Sequence, residues 1–314
     1  MPDQQQESLA PSPGDPADGS SAGPAAGPAV GPAVGPAVVV ACQLAPVLGD
    51  VQDNLARVAG AVGAAAARGA DVIVLPELVT TGYAFTDTEE LRELAETADG
   101  PSLRALTALA ADHDLVITGG FAELDELGRL RNSAFIVDPS GVRAVYRKAH
   151  LWDNEVHLFV AGNEPPPVVH TRVGRVGVIV CYDIEFPEWS RTAALQGADL
   201  LCVPTNWPAT ATPPGERPQA VVHAQAAALA NQVFVAVCDR VGPERGVDWA
   251  GASAIIGPDG YPLALAEPDG TEQVLVGRCD LHLARDKSSS ANNDAMRDRR
   301  PALYGQLTTG ADVD

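Results

Sequence analysis

The sequence predicts an α/β domain built on mixed β-sheets. Short apolar runs alternate with segments of helical periodicity along most of the chain, which is typical of sheets covered by helices. Most of these runs are apolar at consecutive positions, as expected of strands that are buried on both faces. Two pairs of runs flank tight turns and indicate β-hairpins. The sheets should therefore contain antiparallel as well as parallel strands.

The first half of the chain follows this alternation in order. After the first strand, Leu55, Val58 and Val62 lie at helical spacing and predict an amphipathic helix. A second helix is expected near residues 101–113, with Ser102 as its N-cap. The predicted strands, the last two of them forming a hairpin around residues 139–141, are VVVACQLA, DVIVLPE, LVITGGF, NSAFIVD and VRAVYRK.

The second half continues the pattern. The predicted helices are EFPEWSRTAALQG and RPQAVVHAQAAALAN. The predicted strands, with a hairpin turning at residues 257–260 within the fourth segment, are VGVIVCYD, ADLLCVP, VFVAVCD, SAIIGPDGYPLALA and EQVLVGRCDL. No Gly-rich phosphate-binding loop follows any of the predicted strands.

Composition divides the chain into three parts. Residues 1–36 are rich in Pro, Gly and Ala and end in a GPAV repeat, which predicts a disordered or polyproline-like arm. Residues 37–285 carry the alternating elements and form the predicted domain. Polarity rises after Ala284, so residues 286–314 are expected to form an exposed C-terminal arm.

Charge and hydropathy argue against two classes of partner. The chain has 21 basic and 41 acidic residues and a net charge of −20, so most of its surface would repel nucleic acid. No apolar run reaches the roughly 18 residues of a membrane span. The N-terminal segment lacks the basic and apolar regions of a secretory signal. We therefore expect neither a nucleic-acid nor a membrane partner.

The five cysteines indicate a reducing compartment. Their number is odd and no two have C-x-x-C spacing, so neither a disulfide framework nor a zinc site is expected. Four of them lie in or at the end of apolar runs, where a small buried thiol is the ordinary role. Reduced thiols are typical of a cytoplasmic protein.

Glu77 is the first candidate for chemistry. It lies in LPELVTTGY, directly after a buried strand and Pro76. Sheet enzymes place reacting groups at strand ends, and a carboxylate at the edge of an apolar core has a raised pKa that suits a base near neutral pH. Taken alone, the segment fits an ordinary surface glutamate better.

Lys148 is the second candidate, in VYRKAHLWDNEVHLF. The chain has only one other lysine, Lys287, and an ammonium beside apolar neighbours could hold a developing oxyanion. Glu155, seven residues further on, could reach the same pocket. A solvated lysine at a strand end is the alternative. His150 could assist a cysteine, although a hydrogen-bonded packing role fits it better.

Cys181 is the third and most specific candidate, in VGVIVCYDIEFPEW. It stands where an apolar strand ends and a helix is predicted to begin, which is the arrangement of a nucleophile elbow. We expect the helix N-terminus to lower the pKa of this thiol and the backbone N–H of Tyr182 to face the substrate oxygen. A buried structural cysteine remains the alternative for this segment alone.

Together these segments resemble the nitrilase superfamily of carbon–nitrogen hydrolases. The resemblance runs from about Val38 to Leu283 and rests on a Glu in LPEL, a Lys in YRKAHL and a Cys in CYDIEFPE, in that order. Glu155, Phe159 and Gly162 add the pattern E-x-x-x-F-x-x-G. The segment GADLLCVPTNWP is a further match.

The resemblance implies both a fold and a site. The fold would be a four-layer α-β-β-α sandwich with two mixed sheets, over residues 37–285. It would pair through its α faces into a homodimer or be part of a higher homo-oligomer. Glu77, Lys148 and Cys181 would form the catalytic triad, with Glu155 supporting Lys148 and positioning the substrate. The cysteine would form a thioester, and no metal or organic cofactor is expected.

The residues after the cysteine bear on the substrate. True nitrilases usually have Trp or Gly there, followed by Glu-Asn, whereas this chain has Tyr182 and Asp183, which looks like the amidase branches. Carbamoylases tend to carry an Arg a few residues on, where this chain has Ile184, Glu185 and Phe186. We expect a small aliphatic amide. An ω-amino or ω-guanidino amide would suit the acidic residues that follow the cysteine. Carboxylates at these positions also stabilise the start of a helix, which is the alternative role.

Asn206 and Trp207 in VPTNWP follow the next strand and should line the pocket by the same strand-end logic. The flanking Pro204 and Pro208 mark a loop rather than the interior of an element. A tryptophan buried in the core is the alternative.

Other functions stay open from the sequence. A nitrilase or an N-carbamoyl amidohydrolase would use the same superfamily chemistry. A catalytically silent binding protein would have no need to keep Glu77, Lys148 and Cys181 together. A papain-like protease fits poorly, because His223 and His282 are the only histidines that follow the cysteine.

Overall fold

The computed structural model describes residues 35–309. The arm predicted at residues 1–36 lies outside the described residues except for its last two positions. Within residues 35–309, no helix combines the length and the apolar character needed to cross a membrane.

Two six-stranded sheets dominate the described part of the chain. Their strands are β1 (Ala37–Gln43), β2 (Val72–Val74), β3 (Val116–Leu124), β4 (Leu130–Asp138), β5 (Gly141–Arg147), β6 (Val168–His170), β7 (Arg175–Val178), β8 (Leu200–Pro204), β9 (Phe234–Cys238), β10 (Ala254–Ile256), β11 (Pro262–Leu265) and β12 (Gln273–Cys279). The helices are α1 (Val51–Ala66), α2 (Thr88–Leu94), α3 (Pro101–His113), α4 (Glu155–Leu158), α5 (Pro187–Leu195) and α6 (Gln219–Asn231).

Both sheets are mixed, as the sequence predicts. The first has the order β12-β1-β2-β3-β4-β5 and the second β11-β10-β9-β8-β7-β6. Strands β1, β2 and β3 run parallel in the first sheet, and β7, β8 and β9 run parallel in the second. The strands that flank each of these groups are antiparallel to them. Both predicted hairpins are present, as β4–β5 and β10–β11.

The alternating side chains of β1 show how the layers stack. Val39 and Ala41 join the core between the two sheets, whereas Val38 and Val40 belong to a separate core that includes residues of α1 and α3. Successive residues of a strand face opposite sides, so a fully apolar run serves both cores. With α5 and α6 packed against the second sheet, the predicted four-layer α-β-β-α sandwich is confirmed.

One predicted helix start is wrong. The N-cap of α3 is Gly100 and Pro101 is its first residue, while Ser102 lies inside the helix. Proline suits this first position because its missing N–H has no partner there in any helix. The backbone N–H and hydroxyl of Ser102 instead donate to the carboxylate of Glu96, at 2.7 and 2.8 Å.

Short elements were not predicted. Strand β6 and helix α2 have three and seven residues, too few for a clear period. Residues 288–294 also form a small two-stranded sheet, and Lys287 donates to the backbone carbonyls of Asn231 and Gln232. Most side chains of residues 286–309 are exposed. The domain boundary near residue 286 stays a prediction.

Candidate active site

The structure brings Glu77, Lys148 and Cys181 together from three strand ends. Glu77 follows β2, Lys148 follows β5, and Cys181 follows β7. All three residues are buried. They lie on two different sheets, so the site forms where the carboxyl ends of β2 and β7 meet across the sandwich.

Lys148 stands between two carboxylates. Its Nζ lies 2.8 Å from Glu77 Oε1 and 2.8 Å from Glu155 Oε2. Glu155 also accepts a hydrogen bond from the backbone N–H of Trp152, at 2.7 Å. These contacts fix the ammonium in one position, because a buried charge needs partners on several sides.

Asn132 joins the same network and was missed by sequence reasoning. Its side-chain nitrogen Nδ2 donates to Glu77 Oε1 at 2.7 Å and to Glu155 Oε1 at 2.9 Å. One amide group therefore ties the two carboxylates together. A run of buried polar residues, Arg131 to Ser133, at the start of an otherwise apolar strand was the available signal.

One carboxylate oxygen of Glu77 is available to accept a proton. Oε1 has two donors, whereas the buried Oε2 has no hydrogen-bond partner among residues 35–309. Burial raises the pKa of Glu77 to about 7, against the lowering effect of Lys148. The raised pKa agrees with the sequence-based expectation. A carboxylate with this pKa can accept and return a proton near neutral pH.

Lys148 is held in its charged form. Burial lowers the pKa of this ammonium, but the charges of Glu155 and Glu77 outweigh burial and raise the pKa well above its usual value. Lys148 is therefore a fixed positive charge rather than a proton carrier. Such a charge can stabilise an oxyanion that develops next to it.

Cys181 begins a tight turn with an uncommon backbone conformation. Residues Cys181–Glu185 form a 3₁₀ turn between β7 and α5, and the φ of Cys181 is +48°. A non-glycine residue in this left-handed region costs about 1–3 kcal/mol, and such residues cluster at functional sites. The strand–turn–helix order matches the predicted elbow.

The predicted lowering of the thiol pKa is wrong. Burial and the charge of Glu77 raise the pKa of Cys181 well above its usual value. The α-helix does not begin at the cysteine but at Pro187, so the helix dipole acts from too far away to offset burial. The resting thiol is therefore neutral, and it needs a base at the moment of attack.

Asp183 holds the cysteine turn in place. Its buried carboxylate accepts hydrogen bonds from the backbone N–H of Val180 at 3.0 Å and from the hydroxyl of Tyr146 at 2.7 Å. The ring Nδ1 of His150 lies 2.6 Å from the same carboxylate, and the ring stacks on Phe186. His150 thus has the packing role that the sequence favours.

Two glycines allow the close approach of the segments. A Cβ at Gly120 would come within 2.7 Å of the Cα of Glu77. A Cβ at Gly162 would overlap the carbonyl of Arg147, while the N–H of Gly162 donates to Lys148 O at 2.8 Å. The glycine of the E-x-x-x-F-x-x-G pattern therefore keeps the backbone before Lys148 in position.

Tyr83, six residues after Glu77, is a second residue that sequence reasoning missed. Burial and the charges of Glu155, Glu77 and Cys181 raise its pKa well above the usual value, so its hydroxyl lies near the three groups and stays protonated. Its ring packs edge-on against Trp249, with the centroids 5.4 Å apart. The residue was visible in LPELVTTGY but had no chemical signal of its own.

A cavity of about 160 Å³ opens at the cysteine. Cys181, Tyr182 and Trp207 line it, and its volume is below the roughly 300–1,000 Å³ of sites for drug-sized ligands. Asn206 is not among the lining residues; its Nδ2 donates to the backbone carbonyl of Glu77 at 2.9 Å. The backbone N–H of Tyr182 donates to no acceptor within residues 35–309.

The chain is similar to known proteins over most of its length. A family model described as carbon–nitrogen hydrolase matches residues 38–287. A protein named nitrilase from Pyrococcus abyssi is 36% identical over 83% of this chain and 97% of its own length. An (R)-stereoselective amidase from a Pseudomonas species is 35% identical over 86% and 94%.

Solved structures are similar to this chain as well. One shows a mutant amidase from Nesterenkonia sp. AN1 with acrylamide added to the active-site cysteine. It aligns with a TM-score of 0.72 and 27% identity, over 86% of this chain and 99% of that one.

Within residues 35–309, no group of three or more His, Cys, Asp or Glu side chains is arranged to hold a metal ion.

Proposed function

This chain belongs to the carbon–nitrogen hydrolase family, in its amidase-like branch, and we propose that it hydrolyses a small aliphatic amide through a thioester at Cys181. The products are a carboxylic acid and ammonia. The observation that carries the proposal is the buried contact of Lys148 with Glu77 and Glu155, beside a neutral thiol that opens to a cavity.

The first half of the reaction forms the thioester. Glu77 takes the thiol proton of Cys181 on its unpartnered Oε2, and the sulfur attacks the amide carbon. The carbonyl oxygen becomes an oxyanion, which accepts hydrogen bonds from Lys148 and from the backbone N–H of Tyr182. Protonated Glu77 then gives its proton to the nitrogen, the C–N bond breaks, and ammonia leaves.

The second half regenerates the enzyme. Glu77, again ionised, takes a proton from water as the oxygen attacks the thioester carbon. The second oxyanion is held by the same two donors. The C–S bond breaks, the sulfur regains its proton from Glu77, and the carboxylic acid departs. A base with a pKa of about 7 can run both halves, because it gains and loses its proton easily at neutral pH.

Three further residues have supporting roles. Glu155 positions Lys148 and, through its contact with Asn132, the carboxylate of Glu77. Asn206 holds the backbone of Glu77. Trp207 forms a wall of the cavity, beside Tyr182. The small cavity favours a short acyl group over a peptide.

The function can be tested by ammonia release from a panel of aliphatic amides, nitriles and N-carbamoyl compounds. We expect wild type to hydrolyse amides, Cys181→Ala to be inactive, and Cys202→Ala, which changes a buried cysteine of β8, to stay active. Turnover of nitriles or carbamoyl compounds without turnover of amides would overturn the amide assignment. Activity of Cys181→Ala at the wild-type level would overturn the assignment of the nucleophile.

We also propose a homodimer. The exposed apolar side chains Leu195 on α5 and Val222 and Leu229 on α6 support it, because a second copy would bury them. Light scattering should give twice the chain mass of 32.5 kDa. A monomeric mass at micromolar concentration would refute this proposal.

We further propose a cytoplasmic location. All five cysteines are free, which suits a reducing compartment. Cell fractionation should recover the protein with cytoplasmic markers. Recovery with secreted or membrane fractions would contradict it.

A further inference from the structure

We propose that Thr205 is a further catalytic residue, whose hydroxyl donates a hydrogen bond to the sulfur of Cys181 while that sulfur is negatively charged. The inference rests on the proposed thioester mechanism and adds a donor for the attacking atom. Lys148 and the backbone N–H of Tyr182 act on the oxygen of the substrate, whereas the hydroxyl of Thr205 acts on the nucleophile.

Strand register brings Thr205 to the side of the cysteine. Strands β7 and β8 are parallel neighbours, in which Val178 pairs with Cys202. Three residues beyond this pair, the two chains reach Cys181 and Thr205. The backbone N–H of Ile179 still donates to the carbonyl of Cys202, at 3.1 Å, so the two chains stay paired past the end of β7. Thr205 and Cys181 therefore leave the same end of the sheet on adjacent chains.

The backbone on both sides of the Thr205 hydroxyl is fixed. The N–H of Thr205 donates to the carbonyl of Cys238 on β9, at 2.9 Å, and Asn206 donates to the carbonyl of Glu77, also at 2.9 Å. Thr205 itself is fully buried. The hydroxyl is thus held in place before the reaction starts, which is what an effective catalytic donor requires.

The hydroxyl of Thr205 has no other use in the described part of the chain. Its Oγ1 is buried and has no hydrogen-bond partner within residues 35–309. Buried polar groups normally have a partner, so an orphaned hydroxyl beside a reacting atom indicates a partner that forms during the reaction. Glu77 Oε2, which receives the thiol proton in the proposed mechanism, is orphaned in the same way.

The surroundings of the sulfur make a thiolate costly. Burial and the charges of Glu77 and Glu155 raise the pKa of Cys181, whereas the charge of Lys148 and the hydroxyl of Thr205 lower it. A hydroxyl has this effect because it can donate to the charged form of the sulfur. Thr205 therefore favours the one form of Cys181 that attacks.

The other donors near the sulfur are already engaged. Nζ of Lys148 contacts two carboxylates, each at 2.8 Å. The hydroxyl of Tyr83 also faces the sulfur, but it interacts with Glu155, and the negative charges around it raise its pKa well above the usual value. Thr205 is left as the neutral donor that can turn to Cys181 without breaking another contact.

The proposed hydrogen bond acts in both halves of the reaction. When Glu77 takes the thiol proton, the sulfur carries a negative charge until it bonds to the amide carbon. When the C–S bond breaks, its electron pair returns to the sulfur, which is again a thiolate until Glu77 gives the proton back. Thr205 keeps its own proton throughout. Because it touches the sulfur rather than the substrate, its loss should lower kcat and leave KM unchanged.

Steady-state kinetics with butanamide give the first test. Thr205→Val replaces the hydroxyl by a methyl group of similar size, and kcat should fall about tenfold or more at an unchanged KM. Thr205→Ser keeps the hydroxyl and should retain most of the wild-type kcat. The matched control is Thr118→Val on β3, which removes another fully buried hydroxyl without a partner; it should behave like wild type.

The reactivity of the thiol gives a second test that needs no amide substrate. Methyl methanethiosulfonate is a small, uncharged reagent that combines with thiolates, and its addition can be followed at Cys181 by peptide mass spectrometry. Below the pKa of the thiol, the rate follows the thiolate fraction. Thr205→Val should react about tenfold more slowly than wild type at every pH between about 7 and 9, whereas Thr205→Ser should react like wild type.

The two tests separate this inference from the proposed function. No hydrolysis of any amide by wild type would overturn the amidase function, while the thiol reactivity would still decide the role of Thr205. Equal kcat or equal thiol reactivity in wild type and Thr205→Val would overturn the inference alone. A loss that appears in KM, or that Thr205→Ser shares, would show a structural role and would overturn it as well.

A second pair of variants covers the case in which Thr205→Val does not fold. Thr205→Ser and Thr205→Ala both lose the methyl group and differ only in the hydroxyl. The serine variant should exceed the alanine variant about tenfold in kcat and in thiol reactivity. Equal rates in these two variants would overturn the proposed hydrogen bond.

Discussion

Replacing Asn132 by leucine tests the hydrogen-bond network at its centre. Leucine has nearly the same shape but cannot donate to Glu77 Oε1 or Glu155 Oε1. Both carboxylates would keep their contacts with Lys148. The variant therefore isolates the part of the network that lies outside the predicted triad.

The expected loss follows from the two contacts, at 2.7 and 2.9 Å. A hydrogen bond to a charged group contributes about 1.5–3 kcal/mol. If the loss of one of these hydrogen bonds destabilises the transition state by this amount, kcat/KM should fall by about 10- to 100-fold, since each 1.36 kcal/mol is tenfold in rate.

The pH profile gives a second and more specific readout. Glu77 must be ionised to act as a base, so kcat/KM of wild type should fall as the pH drops through about 7. The hydrogen bond from Asn132 lowers the pKa of Glu77. Without that hydrogen bond the pKa rises, and the acid limb should move to higher pH by about one unit.

The assay is ammonia release from a neutral aliphatic amide between pH 5 and 9, with Ser133→Ala as the matched control. Ser133 is the next residue of the same strand, is buried, and donates to Glu123 rather than to the site, at 2.6 Å. The reasoning is refuted if Asn132→Leu keeps the wild-type acid limb and a kcat/KM equal to that of Ser133→Ala.

Three further predictions concern groups around the site. Lys148→Arg should lose at least about 100-fold in kcat, because a planar guanidinium does not fit where a compact ammonium contacts two carboxylates; steady-state kinetics within tenfold of wild type would contradict this. Gly162→Ala should lower kcat by about tenfold or more, because its Cβ would displace the Arg147 carbonyl before Lys148, and unchanged kinetics would show that this backbone can adjust. Arg240→Met should lower the free energy of unfolding by about 3–5 kcal/mol, because Arg240 is fully buried and donates to Glu244 at 2.6 Å. A decrease below about 1 kcal/mol in urea denaturation would refute that value.

Much of the fold could be predicted from local patterns. Consecutive apolar residues in VVVACQLA and VFVAVCD identify strands that are buried on both faces, because each face needs its own apolar side chains. The β4–β5 hairpin follows from two such runs joined at residues 139–141. Short elements such as β6 lack enough residues to show a period.

Local patterns were less informative about the electrostatics of the cysteine. An apolar strand followed by a helix pattern predicted a lowered thiol pKa. The structure interposes a 3₁₀ turn before the helix and buries the sulfur beside Glu77. Burial and the charge of Glu77 raise the pKa of Cys181. Burial depends on the packing of the opposite sheet, which cannot be deduced from any single stretch of the sequence.

The sequence by itself determined most of the strands, their order along the chain, and three chemically distinct residues at strand ends, Glu77, Lys148 and Cys181. These features depend on residue type and on neighbours a few positions away. Only the tertiary structure decided that Asn132, 55 residues from Glu77 along the chain, links that carboxylate to Glu155, and that Glu185 rather than Asp183 lines the cavity. Such neighbours are set by strand register and by the packing of the two sheets, since hydrogen bonds and charges act over a few ångströms of space regardless of separation along the chain.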